Sequence, residues 1–338
     1  MLELLAALLV VAFLMELTIG VVWIPPSDVV AILSGAEPAR ASWATIVNEV
    51  RLPRALAAMI VGAAIGLAGL LLQTLFRNPL ADPWIIGVIH GARLGVAIVI
   101  VVVSAAGTQL LERLGALGEV ALGAAAGLGA TFVILVLLAL APKVRPVTLL
   151  ILGLMIGFSC QGLISVVLHF TDEGHANAFF AWDDGNFAGA TFAKLRVFSV
   201  IIAGGVLIAA SITKPLNALL LGENYARSIG VAIQPVRIAA LASTAILAGA
   251  VTAFAGPIAF LGILAPHFSR ALLRTQDHRL LLPAVAMSGA CIALLADLIV
   301  HLPWSRHFLH VNAVIGLFGA PFLFWAIARN RGEKLMDW

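Results

Sequence analysis

The chain has 338 residues, of which 62% are hydrophobic and 11% charged, with a formal net charge of +3 and a mean hydropathy of +1.09. Soluble domains carry about 25% charged residues, so this composition excludes a water-covered surface and requires lipid as the solvent. Lys and Arg are scattered between apolar runs instead of forming one stripe, which argues against nucleic acid as a partner and for topology signals.

A membrane helix needs about 20 apolar residues. Ten runs meet that requirement, near 4–24, 55–76, 84–106, 116–141, 147–169, 195–212, 237–256, 258–273, 280–300 and 311–328. The predicted fold is therefore an all-α integral membrane protein with about ten transmembrane helices, a single transmembrane domain over 1–338. The amino terminus lacks a basic segment, carries Glu3 and Glu16, and shows no small-residue cleavage site before Pro25, so no cleaved leader is expected. Gly256-Pro257 separates the seventh and eighth spans, and Pro266 predicts a kinked or discontinuous eighth helix. An even number of spans puts both termini on one side. The loop Lys and Arg residues favour that side as cytoplasmic.

Lipid is as apolar as Leu, so helix contact has to come from small residues. Gly62-x3-Gly66, Gly123-x3-Gly127 and Gly153-x3-Gly157 supply such faces. Cys160 and Cys291 each sit within an apolar run and read as small buried hydrophobes.

Three hydrophilic stretches stand out. Arg51-Leu52-Pro53-Arg54 lies immediately before the second span. Its two arginines either present forks to carboxylates of a soluble partner or anchor lipid phosphate. Arg77-Asn78-Pro79-Leu80-Ala81-Asp82-Pro83 predicts a sharp reversal, with Asp82 or Pro83 starting the third span. The connector from Lys214 to Pro235 contains Leu221-Gly222-Glu223-Asn224-Tyr225-Ala226-Arg227-Ser228-Ile229-Gly230-Val231, which reads as a short polar helix with glycine ends. That helix either transmits force from a cytoplasmic partner or is a solvated surface element.

These segments, with Phe76, Gly256 to Arg270, Asp277-His278-Arg279, Ala296-Asp297 and Gly319-Ala320-Pro321, occur in one order over residues 51–329. The pattern resembles the permease subunits of type II ABC importers, which serve iron–siderophores, haem and cobalamin. The resemblance implies a homodimer in the bacterial inner membrane, with both termini cytoplasmic and the pathway on the two-fold axis. It also implies two cytoplasmic ABC ATPase subunits, which hold the ATP and Mg, and a periplasmic substrate-binding protein that delivers the chelate. No cofactor or metal is expected on this chain. Arg51 and Arg54 match the family's docking arginines. A third falls at His301, with Arg306 nearby as a substitute. Gly222, Glu223, Ala226, Arg227, Ser228 and Gly230 match the ATPase-coupling helices, with the coupling loop at about 214–235. Pro146, Val147 and Thr148 align with the inner gate.

His90 and Arg93 depart from the family, where small or hydroxyl residues are common. A charge within a span needs a partner or water. Arg93 either meets an anionic substrate along the pathway with His90, or pairs inside the bundle with Glu16. His169 and His175 read as polar edge residues and His267 as a packing residue. No phosphate-binding loop G-x4-G-K-[ST] and no catalytic constellation occurs, so the energy has to come from a separate ATPase. The competing readings are an ion-coupled secondary transporter, for which only Glu16 and Asp297 are candidate carriers, and a membrane-embedded enzyme.

Overall fold

A computed structural model describes residues 1–105, 116–302 and 309–329, and among the described residues all regular structure is helical. The helices are α1 (Leu2–Thr18), α2 (Pro26–Leu33), α3 (Ala41–Phe76), α4 (Val88–Ala105), α5 (Ala116–Leu140), α6 (Pro146–His169), α7 (Glu173–Asp183), α8 (Phe192–Ser211), α9 (Thr213–Leu220), α10 (Glu223–Ser228), α11 (Ile233–Ala255), α12 (Leu261–Leu273), α13 (His278–Val300) and α14 (Val311–Arg329). Among the described residues six helices are long and apolar enough to cross a membrane, and three shorter ones are apolar.

α3 is the central helix. It packs against α13, α11, α12 and α8 and is buried along most of its length from Ala55 to Phe76. It is also longer than its apolar run, because the Arg51–Arg54 stretch is not a connector but part of one 36-residue helix. Pro53 has no N–H to donate and its ring crowds the carbonyl one turn back. A π-helical stretch at Ile46–Arg51 widens the coil just ahead of it, so the helix continues through the proline.

The third span begins at Val88, four residues later than its hydropathy suggests. Asp82 Oδ1 accepts from the Trp84 amide at 2.8 Å, and the Asp82 carbonyl accepts from the Ile86 amide at 3.2 Å. Asp82 thus closes a turn ahead of the helix instead of capping the helix itself. The turn ends at Gly87, with φ +81°, where a Cβ would stand 2.6 Å from the Gly153 carbonyl oxygen. α2 and α7, both short, arise in segments that hydropathy leaves as loops. Asp172 caps α7 by accepting from the His175 amide at 3.1 Å. The break expected at Gly256-Pro257 is present between α11 and α12.

Two of the three glycine faces make close backbone contacts. A Cβ on Gly62 would lie 2.2 Å from the Gly289 carbonyl, and Gly153 sits against the Ile86 backbone. The Gly123/Gly127 face does not: Gly127 has nothing within 4 Å, and α5 instead meets α4 through Gly129, where a Cβ would lie 2.0 Å from the Gly91 carbonyl. Gly129→Ala should therefore destabilise the bundle by about 1–3 kcal/mol through overpacking. Gly127→Ala should stabilise it by about 0.5–1 kcal/mol through helix propensity. Thermal unfolding of the detergent-solubilised protein checks the pair, and equal shifts would refute this packing.

α6 and α14 form the periphery. α6 leaves Val147, Ile151, Leu154, Met155, Phe158, Leu163 and Val166 exposed, and α14 leaves Leu317, Phe318 and Phe324 exposed.

Candidate functional site

Among the described residues, the docking, coupling and gate residues expected from the sequence fall at the two ends of the bundle. At one end lie α9 and α10, the start of α11 and the α5–α6 turn. Gly222 precedes α10 with φ +102° and Gly230 follows it with φ +85°, conformations that side chains with a Cβ rarely adopt. The glycine ends are where the sequence puts them. Ala226 is fully buried and anchors the helix, so it does not form part of the surface. The exposed side chains are Asn224, Tyr225, Arg227, Ser228 and Ile229, and Leu221 is exposed beside them. Sequence matching singled out Arg227 and Ser228 but passed over the apolar Leu221, Tyr225 and Ile229.

Glu223 faces inward. Its Oε1 accepts from Arg237 Nη2 at 2.8 Å, and its Oε2 lies 3.5 Å from Arg227 Nη2. Arg237 is buried, and its Nη1 donates to the Ala141 carbonyl at 2.7 Å and the Val144 carbonyl at 3.4 Å. Pro146, Val147 and Thr148 follow as the first turn of α6, with Arg145 as its N-cap. α9 is tied separately. Asn217 Nδ2 donates to Asp277 Oδ1 at 2.6 Å, and Asn217 Oδ1 accepts from the His278 amide at 2.8 Å. Hydrogen bonds from the Arg279 amide and the Asn217 side chain hold the Asp277 carboxyl below the usual carboxylate range. This contribution to stability is complete at neutral pH and is lost as pH falls through the lowered value.

At the opposite end Arg54 and His301 meet at Asp297, and Arg51 lies nearby within electrostatic reach of Glu16. Arg54 clasps Asp297 with both fork positions, Nε to Oδ2 at 2.8 Å and Nη2 to Oδ1 at 2.9 Å. Asp297 is completely buried. Arg51 Nη1 donates to the Leu17 carbonyl at 2.7 Å, and Nη2 donates to the Val22 carbonyl. His301 caps α13 and its Nδ1 stands 3.5 Å from Asp297 Oδ1. Arg306 lies outside the described residues, as do Arg113, Arg331 and Lys334. Both arginines are thus engaged within the chain instead of standing as free forks on a surface.

Glu16, Asp297 and His301 bring ligand-type atoms within 4.8 Å of one another. Both Asp297 oxygens are already on Arg54 and a second guanidinium, Arg51, lies within electrostatic reach of Glu16. The positive charge this cluster holds is guanidinium, and the donor set does not fit a metal ion.

Arg93 is paired inside the bundle, but its partner is not Glu16. Nε and Nη2 donate to Asp183 at 2.5 and 2.6 Å, and Nη1 donates to Gln161 Oε1 at 2.6 Å. Its guanidinium also stands 5.5 Å from the Trp84 ring, within cation–π range. His90 packs edge-on to Trp84 with ring centroids 5.1 Å apart. Asp183 ends α7, a helix that hydropathy does not reveal, so this partner was not readable from the sequence.

Residues 8–329 match the FecCD transport family. Over 330 residues the chain is 33% identical to the vitamin B12 import system permease protein BtuC of Klebsiella pneumoniae, covering 97% of this chain and 93% of that protein. It is 32% identical over 333 residues to BtuC of Escherichia coli O9:H4, covering 97% and 94% respectively. Its fold is also similar to a solved structure described as an inward-facing conformation of a metal-chelate type ABC transporter, with a TM-score of 0.84 at 27% identity, over 97% of this chain and 98% of the other. A bundle of apolar helices with a glycine-ended helix at one end thus comes with a family match over nearly the whole chain: the protein belongs to the FecCD transport family.

Proposed function

We propose that the chain is the membrane-spanning subunit of an ATP-driven importer of a metal chelate, of the ferric siderophore, haem or cobalamin class. It works as a homodimer in the bacterial inner membrane, with two ABC ATPase subunits on the α9–α10 end and a periplasmic binding protein on the Arg51–Arg54 end. Ten crossings are counted from α1, α3, α4, α5, α6, α8, α11, α12, α13 and α14, with both termini cytoplasmic. The observation that carries this reading is α10. A six-residue helix is too short to persist alone in water, yet this one is pinned by Ala226 and Glu223 and presents Tyr225 and Ile229 outward. An exposed apolar patch rimmed by polar side chains marks a partner site.

Gly222, Glu223, Ala226, Arg227, Ser228 and Gly230 form the coupling segment in this reading, and Pro146, Val147 and Thr148 the inner gate. Binding-protein docking falls to Arg51, Arg54, His301 and Arg306. Acidic side chains of the binding protein compete there with the internal acceptors, Asp297 for Arg54 and main-chain carbonyls for Arg51. His90 and Arg93 play a supporting part, because Asp183 and Gln161 already satisfy the Arg93 fork.

The test is uptake into proteoliposomes holding the chain, its ATPase and its binding protein, offered cyanocobalamin, haemin and a ferric hydroxamate in turn. The expected result is ATP-dependent accumulation of one of the three. Accumulation by the chain alone down a proton or sodium gradient would establish a secondary transporter instead. The structure gives that alternative little support, because its candidate carriers Glu16 and Asp297 sit among Arg51 and Arg54.

A further inference from the structure

We propose that Arg237 is a positioning residue that carries displacement of α10 to the turn ahead of the inner gate. The proposal rests on reading α9–α10 as the segment that meets the ATPase. Its own content is the route by which movement leaves that segment.

Arg237 lies near the start of α11 and is 6% exposed, so it touches no soluble partner. Through one guanidinium it holds two elements. Nη2 binds Glu223, the first residue of α10, while Nη1 binds the Ala141 and Val144 carbonyls of the α5–α6 turn. The last carbonyls of a helix have no intrahelical donor, and the negative end of the helix dipole favours a cation there. Arg237 is therefore the group that closes the end of α5 as well as the ion-pair partner of α10. A guanidinium is planar and rigid, so its two fork positions move together. A shift of Glu223 has to displace the α5–α6 turn or break the contact. Pro146, Val147 and Thr148 begin immediately after that turn.

The two short helices are anchored to different places, which gives the shift a direction. α9 is held to the Asp277–His278 start of α13 through Asn217, and the His278 ring continues to Thr74 at the end of α3 at 2.7 Å. α10 is held to Arg237. Between the anchors stands Gly222 at φ +102°, a position where the chain pivots with little steric cost. Pressure on Tyr225 and Ile229 thus rotates α10 about Gly222 while α9 stays with α3 and α13. Glu223 stands beside the pivot, so the rotation turns its side chain and loads the ion pair with Arg237.

The test uses the full complex of chain and ATPase subunits in nanodiscs, with Cys160 and Cys291 replaced by alanine and a nitroxide on Thr148→Cys. The nitroxide mobility spectrum is recorded without nucleotide and with ATP plus vanadate. In the otherwise unmodified chain the spectrum should change with nucleotide. In Arg237→Met most of the change should be lost, while the partner's ATP hydrolysis stays within about twofold. Arg237→Lys, which reaches Glu223 or the carbonyls but not both as a fork, should restore part of the change. If Arg237→Met does not assemble, Glu223→Gln keeps the carbonyl contacts, cuts the ion pair and should also lose the response. A full nucleotide response in either variant overturns the relay. No response in the unmodified chain would instead sink the ATPase-docking reading itself.

Discussion

Asp297→Ala should destabilise the folded bundle by about 3–5 kcal/mol, the cost of stripping a buried ion pair of one partner. Asp297 is fully buried, and both its oxygens accept from the Arg54 fork. Without the carboxylate, the Arg54 guanidinium remains in a site where only 13% of its side chain reaches the surface. Arg54→Met should cost at least as much, because it leaves the Asp297 carboxylate beside Glu16 without a guanidinium and with only the His301 ring near it. The double variant Arg54→Met/Asp297→Leu should recover most of the loss, since a well-packed apolar replacement of a buried pair is often neutral or stabilising by about 1–4 kcal/mol. Unfolding of the detergent-solubilised protein reads all three. Equal losses in the double variant and the sum of the singles would show that the two side chains act independently and that the clasp does not stabilise this end.

That clasp also marks where sequence reasoning stops. Membrane residence, the helical class and the approximate positions of the long apolar helices follow from run length, because a bilayer leaves no other way to satisfy a buried backbone. The short helix α10 was legible for a local reason: Gly222 and Gly230 bracket the seven residues from Glu223 to Ile229, and their positive φ values are what glycine permits. The misplaced features are non-local. Arg51 and Arg54 look like connector residues because Pro53 stands between them, but the π-helical stretch before the proline keeps the helix intact. The Gly123/Gly127 spacing is correct for a contact face, but spacing does not say which face a neighbour covers, and α4 covers Gly129. The partner of Arg54 is 243 positions away and that of Arg93 is 90 positions away. Nothing in the intervening hydropathy links them.

Arg93 and Asp183 should show the second large effect, and it should be local. Arg93 joins three helices, with Asp183 on α7, Gln161 on α6 and its own position on α4. The fork contacts to Asp183 are short, and the side chains are only 10% and 17% exposed. Arg93→Met and Asp183→Asn should each cost about 3 kcal/mol or more, and the combined variant should cost less than their sum by about 1–3 kcal/mol. The signature of a tie rather than a general packing loss lies in hydrogen exchange. α7 has mostly exposed residues and one fully buried large side chain, Phe179, so it depends on Asp183 to stay docked against α4. Asp183→Asn should therefore speed exchange across residues 173–187, leaving the buried stretch of α11 at its original rate. An anionic substrate that used Arg93 would have to displace Asp183 and would itself release α7. Purely additive losses with unchanged exchange in α7 would mean that the pair is incidental and that Arg93 is free to serve the pathway. Strong coupling with faster exchange confined to α7 makes Arg93 the anchor of that helix.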